Sequence, residues 1–148
     1  MVDELSTVAL FDTGAAITVI SERLAKKLNR IMEPPSISEG VAANGTSIKL
    51  IGQVHFVLNV GKKSIESSAF VAKDDQCSAD LLLGNDTIRQ FANKVSIDYK
   101  VREITFDKEI IPIVTIGEPT SSDFSAPTTL PYTYPMVSPS VKPCLALS

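Results

Sequence analysis

The sequence predicts an all-β domain with two short helices, and three observations lead to that prediction. Short apolar runs rich in β-branched residues recur between residues 7 and 106. Turn-forming pairs separate these runs, most clearly Asn44-Gly45 and Gly61-Lys62. Apolar residues at helical spacing follow Ser21 and, further along the chain, Gly84. Together these features are typical of a small β protein.

The predicted elements follow one another in a simple order. Ser21 is placed to cap a first helix over residues 22–29, and Asn85 or Asp86 can cap a second, shorter one. Asn44-Gly45 predicts a hairpin, because both turn positions need positive φ and these residues tolerate it. The strands are expected at 7–11, 17–20, 36–43, 46–60, 65–71, 81–83, 95–99 and 102–106.

A change of composition at Gly117 predicts a domain boundary. Residues 117–148 contain 6 Pro, 6 Ser and 4 Thr but three charged side chains. Proline removes backbone donors and interrupts helices and strands, so long regular elements are not expected there. We therefore expect residues 1–116 to form the folded domain and residues 117–148 to form an extended linker or a disordered tail.

Length, composition and charge limit the possible classes of function. With 148 residues, 44% apolar and 21% charged, the chain suits one soluble globular domain and is too apolar for wholesale disorder. A net charge of −3 without a basic run argues against a nucleic-acid partner. No apolar stretch approaches the ~20 residues that span a bilayer, which argues against a membrane partner.

The cysteines indicate the compartment. Cys77 and Cys144 are too few for a disulfide scaffold, and neither has neighbours at metal-ligand spacing. Residues 1–11 are too short and too acidic for a signal peptide. We therefore expect a reducing, cytoplasmic setting and no bound metal.

Asp12-Thr13-Gly14 is the candidate catalytic motif. As an isolated tripeptide it would usually be a turn, because Asp and Gly are common turn formers. Here it lies between two apolar runs, residues 8–11 and 17–20, that should both be buried. A carboxylate between buried strands is costly unless hydrogen bonds or a partner compensate it, so its presence points to a function. Gly14 would let backbone amides approach the carboxylate.

Two segments and the turn between them resemble retropepsins, the single-domain aspartic proteases of retroviruses and LTR retrotransposons. Residues 9–21, ALFDTGAAITVIS, resemble their catalytic loop, and residues 81–88, LLLGNDTI, resemble the motif that opens their C-terminal helix. Asn44-Gly45 lies where these enzymes have the tip of the flap hairpin. The sequences of these two motifs are most similar to those of proteases of Ty3/gypsy-type elements. The resemblance covers residues 5–106 and implies a small, closed-up, β-barrel-like acid protease subunit with a flap hairpin.

The resemblance implies an aspartic endopeptidase that works as a homodimer. Pepsin-like enzymes hold two Asp-Thr/Ser-Gly motifs in one chain, whereas this chain has one, so Asp12 of each of two copies would meet on a two-fold axis. One carboxylate would activate a water while the other donates a proton to the scissile carbonyl, with no cofactor or metal. In the family, Thr13 braces the dimer and Gly14 lies beside the substrate main chain.

The resemblance also implies which residues bind the polypeptide substrate. Ala15 and Ala16 follow the catalytic motif, and Ala43, Asn44 and Gly45 form the flap tip. The flap would close over the substrate, exclude water and hydrogen-bond to the substrate backbone.

The chain departs from the viral pattern in two respects. Ala16 and Asn85 occupy positions where many viral enzymes have an acidic residue and an arginine that form an ion pair, so both partners are missing together. Eleven residues precede Asp12, whereas family members usually have a further strand there that joins the dimer sheet. We expect either that the chain begins inside the domain or that the dimer is held differently.

Three hypotheses of function follow. The first is a homodimeric aspartic endopeptidase that processes a retroelement polyprotein, in the cytoplasm or within retroelement particles. The second is a cellular retropepsin-like domain that binds or cleaves other proteins. The third is an inactive module for dimerisation or peptide binding. The intact Asp12-Thr13-Gly14 motif favours the first two.

Overall fold

A computed structural model describes residues 1–42, 45–114 and 144–147. Within them the protein is mostly β, with ten strands, two short α-helices and a 3-10 turn at Asp74–Gln76. The strands are β1 (Thr7–Phe11), β2 (Val19–Ser21), β3 (Glu39–Val41), β4 (Ser47–Val60), β5 (Lys63–Ala72), β6 (Leu81–Leu83), β7 (Val95–Asp98), β8 (Glu103–Phe106), β9 (Glu109–Val114) and β10 (Cys144–Leu147); the helices are α1 (Glu22–Lys27) and α2 (Asn85–Phe91). The predicted all-β fold class is confirmed.

The strands form one curled sheet in the order β3-β4-β5-β2-β6-β1-β10-β9-β8-β7. β1 pairs in parallel with β6, with Phe11 opposite Leu83. Because the two strands run in the same direction, the segments that follow them leave the sheet at the same edge. The N–H of Asp12, just after β1, donates to the carbonyl of Leu83 at 3.0 Å, so the candidate catalytic motif lies beside Gly84.

The longest pairing is the β4–β5 hairpin. It runs from Leu50 opposite Ala72 to the turn at Gly61-Lys62, with a register irregularity at Gly52. Burial alternates along β4 as a half-buried strand requires, and Val54, Phe56, Leu58 and Val60 face the core.

The first residues of β4 pair with β3 to form a separate, shorter hairpin. Glu39 lies opposite Lys49, and Val41 lies opposite Ser47. The chain turns between these strands, where Gly45 has a φ of 85°, in the positive region that the predicted turn requires. The described residues of this β3–β4 unit, 39–42 and 45–49, are called the flap hairpin below.

The core packs around three aromatic rings from distant parts of the chain. The ring of Phe106 lies edge-to-face against Phe11 and Phe91, with centroid separations of 5.5 and 4.9 Å. Phe91 and Ile88 come from the buried side of α2, and Leu24 comes from the buried side of α1. Both helices therefore cover the sheet and fix its curl.

The two helices begin in different ways. Ser21 caps α1 as predicted, because its Oγ accepts the N–H of Leu24 at 3.1 Å. The N-cap of α2 is Gly84, without a side-chain cap, so the prediction that Asn85 or Asp86 caps this helix is wrong. Both are its first helical residues, and their side chains bond to other parts of the chain. No helix in the described part of the chain has the length and apolar character needed to cross a membrane.

The end of the chain corrects the predicted domain boundary. We expected residues 117–148 to be a linker or tail, but residues 144–147 form β10 in the middle of the sheet, between β1 and β9. Leu145 and Leu147 are buried there. Residues 115–143 and 148, the rest of the predicted tail, lie outside the described residues.

Candidate active site

Asp12 lies at the end of β1 with its side chain buried, at 7% exposure. The N–H of Gly14 donates to its Oδ1 at 2.9 Å, and the N–H of Ala15 donates to its carbonyl at 3.2 Å. A Cβ on Gly14 would lie 3.3 Å from the same Oδ1, so the glycine permits this close approach. The carboxylate is thus held by the backbone of the loop formed by residues 12–16, called the catalytic loop below.

The first turn of α2 supports the catalytic loop from below. The N–H of Asn85 donates to the carbonyl of Ala15 at 2.8 Å, and its side-chain Nδ2 donates to the carbonyl of Thr13 at 2.6 Å. The N–H of Asp86 donates to the carbonyl of Ala16 at 3.3 Å. The viral ion pair would connect the positions of Ala16 and Asn85. In this chain, neutral hydrogen bonds from Asn85 and from the N–H of Asp86 connect α2 to the catalytic loop instead.

The helix can approach so closely because residue 84 has no side chain. A Cβ on Gly84 would lie 2.2 Å from the carbonyl oxygen of Ile17, a distance that real atoms do not tolerate. The N–H of Gly84 donates to Thr18 Oγ1 at 3.1 Å. The glycine is therefore required by packing against the chain just after the catalytic loop.

A buried chain of hydroxyl groups lies behind that contact. Thr18 is fully buried, and its Oγ1 lies 2.7 Å from Asp86 Oδ1 and 2.7 Å from Thr87 Oγ1. Ser67 Oγ lies 3.1 Å from the Thr87 hydroxyl. A carboxylate can only accept, so the Thr18 hydroxyl donates to Asp86, Thr87 donates to Thr18, and Ser67 donates to Thr87. The donor and acceptor roles along the chain therefore all follow from the single carboxylate.

A cleft of about 830 Å³ opens above Asp12. Its floor is the catalytic loop, and one side is the flap hairpin, through Gly40, Val41 and Ile48. The opposite side includes Gln76 and the three residues that follow it. The cleft thus has the shape required to enclose an extended chain between a floor with a carboxylate and a hairpin.

The loop of residues 74–80, called the wall loop below, is fastened to the start of α1. Asp74 Oδ1 accepts the N–H of Arg23 at 2.9 Å, and Asp80 Oδ1 accepts Arg23 Nη2 at 2.8 Å and Ser21 Oγ at 2.8 Å. Partial burial acts to raise the pKa of Asp80, but the hydrogen bonds from Arg23 and Ser21 outweigh it and hold the pKa below its ordinary value. Arg23 therefore holds both ends of the wall loop.

Cys77 lies on the cleft side of the wall loop. Burial raises the pKa of its thiol, and the nearby carboxylates of Asp74 and Asp80 add to that effect. The thiol therefore stays protonated at neutral pH, which disfavours a role as a nucleophile. Among residues 1–42, 45–114 and 144–147, no group of three or more His, Cys, Asp or Glu side chains is placed to hold a metal ion.

The predicted site residues divide into three groups. Asp12, Gly14, Ala15 and Ala16 line the cleft together. Thr13 and Gly45 are exposed, and neither is among the residues that line the cleft. Ala43 and Asn44 lie outside the described residues.

Sequence reasoning missed the residues that form the sides of the cleft. Of the described residues, the flap contributes residues 40–42 and 48, and the wall loop contributes residues 76–79. Strand alternation could have placed Ile48 on the inner face of the flap hairpin. The wall loop has no periodic pattern, so no signal in the sequence singles it out.

Comparisons with known proteins identify a family, a protein and a solved structure that are similar to this chain. The family model described as "gag-polyprotein putative aspartyl protease" matches residues 1–90. The chain is 32% identical over 101 residues to DNA damage-inducible protein 1 of Yarrowia lipolytica, a match that covers 68% of this chain and 25% of that protein. It is similar to the crystal structure of the retroviral protease-like domain of Ddi1 from Leishmania major, with a TM-score of 0.57 and 19% identity over 80% of this chain and 93% of that one. The chain thus matches a quarter of the curated relative, and the solved domain shares its fold.

Proposed function

This chain belongs to the gag-polyprotein aspartyl protease family, and we propose that it is an aspartic endopeptidase active as a homodimer, with one Asp12 from each copy. The main support is the position of Asp12, which is the single carboxylate among the described residues that line the cleft. One carboxylate cannot both activate a water and polarise a carbonyl, so the chemistry requires the same residue of a second copy. Thr13 is exposed on the same loop, where a second copy would contact it.

The proposed mechanism needs one proton shared between two carboxyl groups. At a separation of about 3 Å the two Asp12 side chains cannot both be charged, so one is neutral. The charged carboxylate takes a proton from a water as the water oxygen attacks the scissile carbonyl carbon, and the neutral one donates its proton to the carbonyl oxygen. The proton taken from water then passes to the leaving amine as the C–N bond breaks, and a hydroxyl of the gem-diol returns its proton to the carboxylate that had donated one. The products are a carboxylic acid and an amine, and the pair again shares one proton.

We propose retroelement polyprotein processing as the biological role, in the cytoplasm or within retroelement particles. Three observations support this role: the family, the resemblance of the motif sequences to those of Ty3/gypsy elements, and a cleft whose sides are formed mostly by apolar or small residues. The compartment is proposed because two cysteines are too few for a disulfide scaffold.

Asp12→Asn tests the function directly. It keeps the side-chain volume and removes the acid–base group, so kcat/KM on a peptide library should fall about a thousandfold. Sedimentation should show that wild type and variant form the same dimer at high concentration. Activity that survives Asp12→Asn, or a protein that stays monomeric at high concentration, would contradict the proposal.

A second candidate function is favoured by the match to DNA damage-inducible protein 1. On this reading the chain is a cellular retropepsin-like domain, or an inactive one that binds peptides through its cleft and dimerises. The library digest separates an active enzyme from the inactive module: cleavage that Asp12→Asn abolishes favours an endopeptidase, and peptide binding by a dimer without cleavage favours the inactive module.

A further inference from the structure

A single side chain of the wall loop holds the flap hairpin. The N–H of Lys49, on β4, donates to Oε1 of Gln76 at 3.2 Å. Lys49 pairs with Glu39 across the flap hairpin, and Gln76 lines the cleft. The contact thus joins the two sides of the cleft directly.

The position of Lys49 explains why the backbone needs this acceptor. The N–H of the next residue, Leu50, donates to Ser38 at 2.9 Å, on the side of β4 that faces β3. Successive N–H groups of a strand point to opposite sides, so the N–H of Lys49 points toward β5. Yet β5 ends at Ala72, whose partner is Leu50, and its ladder does not reach Lys49. Gln76 supplies the acceptor that the strand cannot.

Gln76 is a fixed acceptor because the wall loop is itself held in place. The N–H of Gln76 donates to the carbonyl of Lys73 at 2.9 Å, within the 3-10 turn. On either side of it, Asp74 and Asp80 bond to Arg23 of α1. The flap hairpin is therefore connected through Gln76 to a segment anchored on the body of the domain.

We propose that Gln76 is a positioning residue: it holds the flap hairpin at the distance from the wall loop at which the hairpin encloses substrate in the cleft. The inference rests on the proposed function and deepens it. Gln76 acts through Lys49 and the flap hairpin and not on the reacting atoms, so it governs how tightly substrate is enclosed. Loss of the contact weakens substrate binding and leaves the chemistry at Asp12 in place.

Kinetics of two variants test the role. Gln76→Met keeps the length of the side chain and removes the acceptor, and it should raise KM about threefold to tenfold with kcat within about twofold of wild type. Gln76→Glu keeps an acceptor oxygen and should restore KM. Gln90→Met, the same change at an exposed glutamine of α2 outside the cleft lining, should leave both constants unchanged. A lowered kcat with unchanged KM, or equal effects of Met and Glu, would overturn the proposal.

Amide hydrogen exchange provides a readout that does not depend on activity. In the full chain, exchange at the Lys49 N–H should quicken about threefold to tenfold in Gln76→Met and stay at the wild-type rate in Gln76→Glu. Unchanged exchange in Gln76→Met would overturn the inference even in an active enzyme. Absence of wild-type cleavage, or cleavage that survives Asp12→Asn, would instead overturn the proposed function. Faster exchange with an unchanged KM would show that the contact does not govern substrate binding, and would overturn the inference as well.

Discussion

Behind the catalytic loop lies a chain of buried hydroxyl hydrogen bonds, whereas the flap hairpin is joined to the wall loop by an exposed hydrogen bond. The hydroxyls of Thr18 and Thr87 are almost inaccessible to water. By contrast, Lys49 and Gln76, which join the flap hairpin to the wall loop, are both exposed. The same class of interaction therefore has a different strength in the two regions, because water competes for the exposed pair and not for the buried one.

This difference suits the task of each region. A carboxylate must be held within a fraction of an ångström to meet its partner, which requires a rigid floor. A flap must open to admit a polypeptide and close again, which requires contacts that break at a small cost in free energy. We therefore expect substitutions in the floor to change stability and turnover, and substitutions in the flap and wall to change substrate binding.

The largest effect should come from Gly84→Ala, in the floor. Its Cβ would lie 2.2 Å from the backbone oxygen of Ile17, so either the helix or the loop must move, at a cost of about 3 kcal/mol of unfolding free energy. Turnover should fall as well, because α2 supports the catalytic loop. Urea unfolding and kcat measure the two effects.

Gly40→Ala is the matched control on the flap hairpin. There a Cβ would meet Ile17 Cδ1 at 3.7 Å and Leu50 Cδ1 at 4.0 Å, which are ordinary contacts. The change in unfolding free energy should be below about 1 kcal/mol. If both alanine variants are equally stable, the floor is not more rigid than the flap and the comparison fails.

Thr18→Val should have the next largest effect. Valine has the shape of threonine without the hydroxyl, so the buried N–H of Gly84 loses its acceptor and Asp86 loses one of its donors. We expect a loss of about 2 kcal/mol of unfolding free energy, with a lower kcat. Thr18→Ser keeps the hydroxyl and should lose less than Thr18→Val. No measurable loss in Thr18→Val would mean that the hydrogen-bond chain does not contribute to stability.

Much of the floor could be predicted from the sequence, because its elements are defined locally. The apolar run before Asp12 and the run at residues 81–83 are short buried strands, found at the predicted positions. Ser21 caps α1 through a contact three residues away. What local patterns could not predict was the use of Asp86, whose side chain accepts the N–H of Thr87 in its own helix and also bonds to Thr18 across 68 positions of sequence.

The rest depends on pairing between distant segments. Val114 of β9 and Cys144 of β10 are paired, although 29 residues separate them in the sequence, and the six prolines after Gly117 concealed the strand. Gln76 is one polar residue of an exposed loop, and its importance depends on where β5 ends. Neither fact leaves a periodic signal, so each required the folded structure.

The smallest expected effect is a dependence of wall-loop stability on pH. The pKa of Asp80 is lowered in the folded protein, so its ion pair with Arg23 stabilises the fold above the ordinary value of 3.8 and is lost as pH falls through the lowered pKa. Both side chains are partly exposed, and water screening keeps the contribution small. The difference in unfolding free energy between wild type and Asp80→Asn should therefore shrink on acidification. Urea unfolding at pH 6, 4 and 3 measures it, and a difference that stays constant would show that the charge of Asp80 does not stabilise the wall loop.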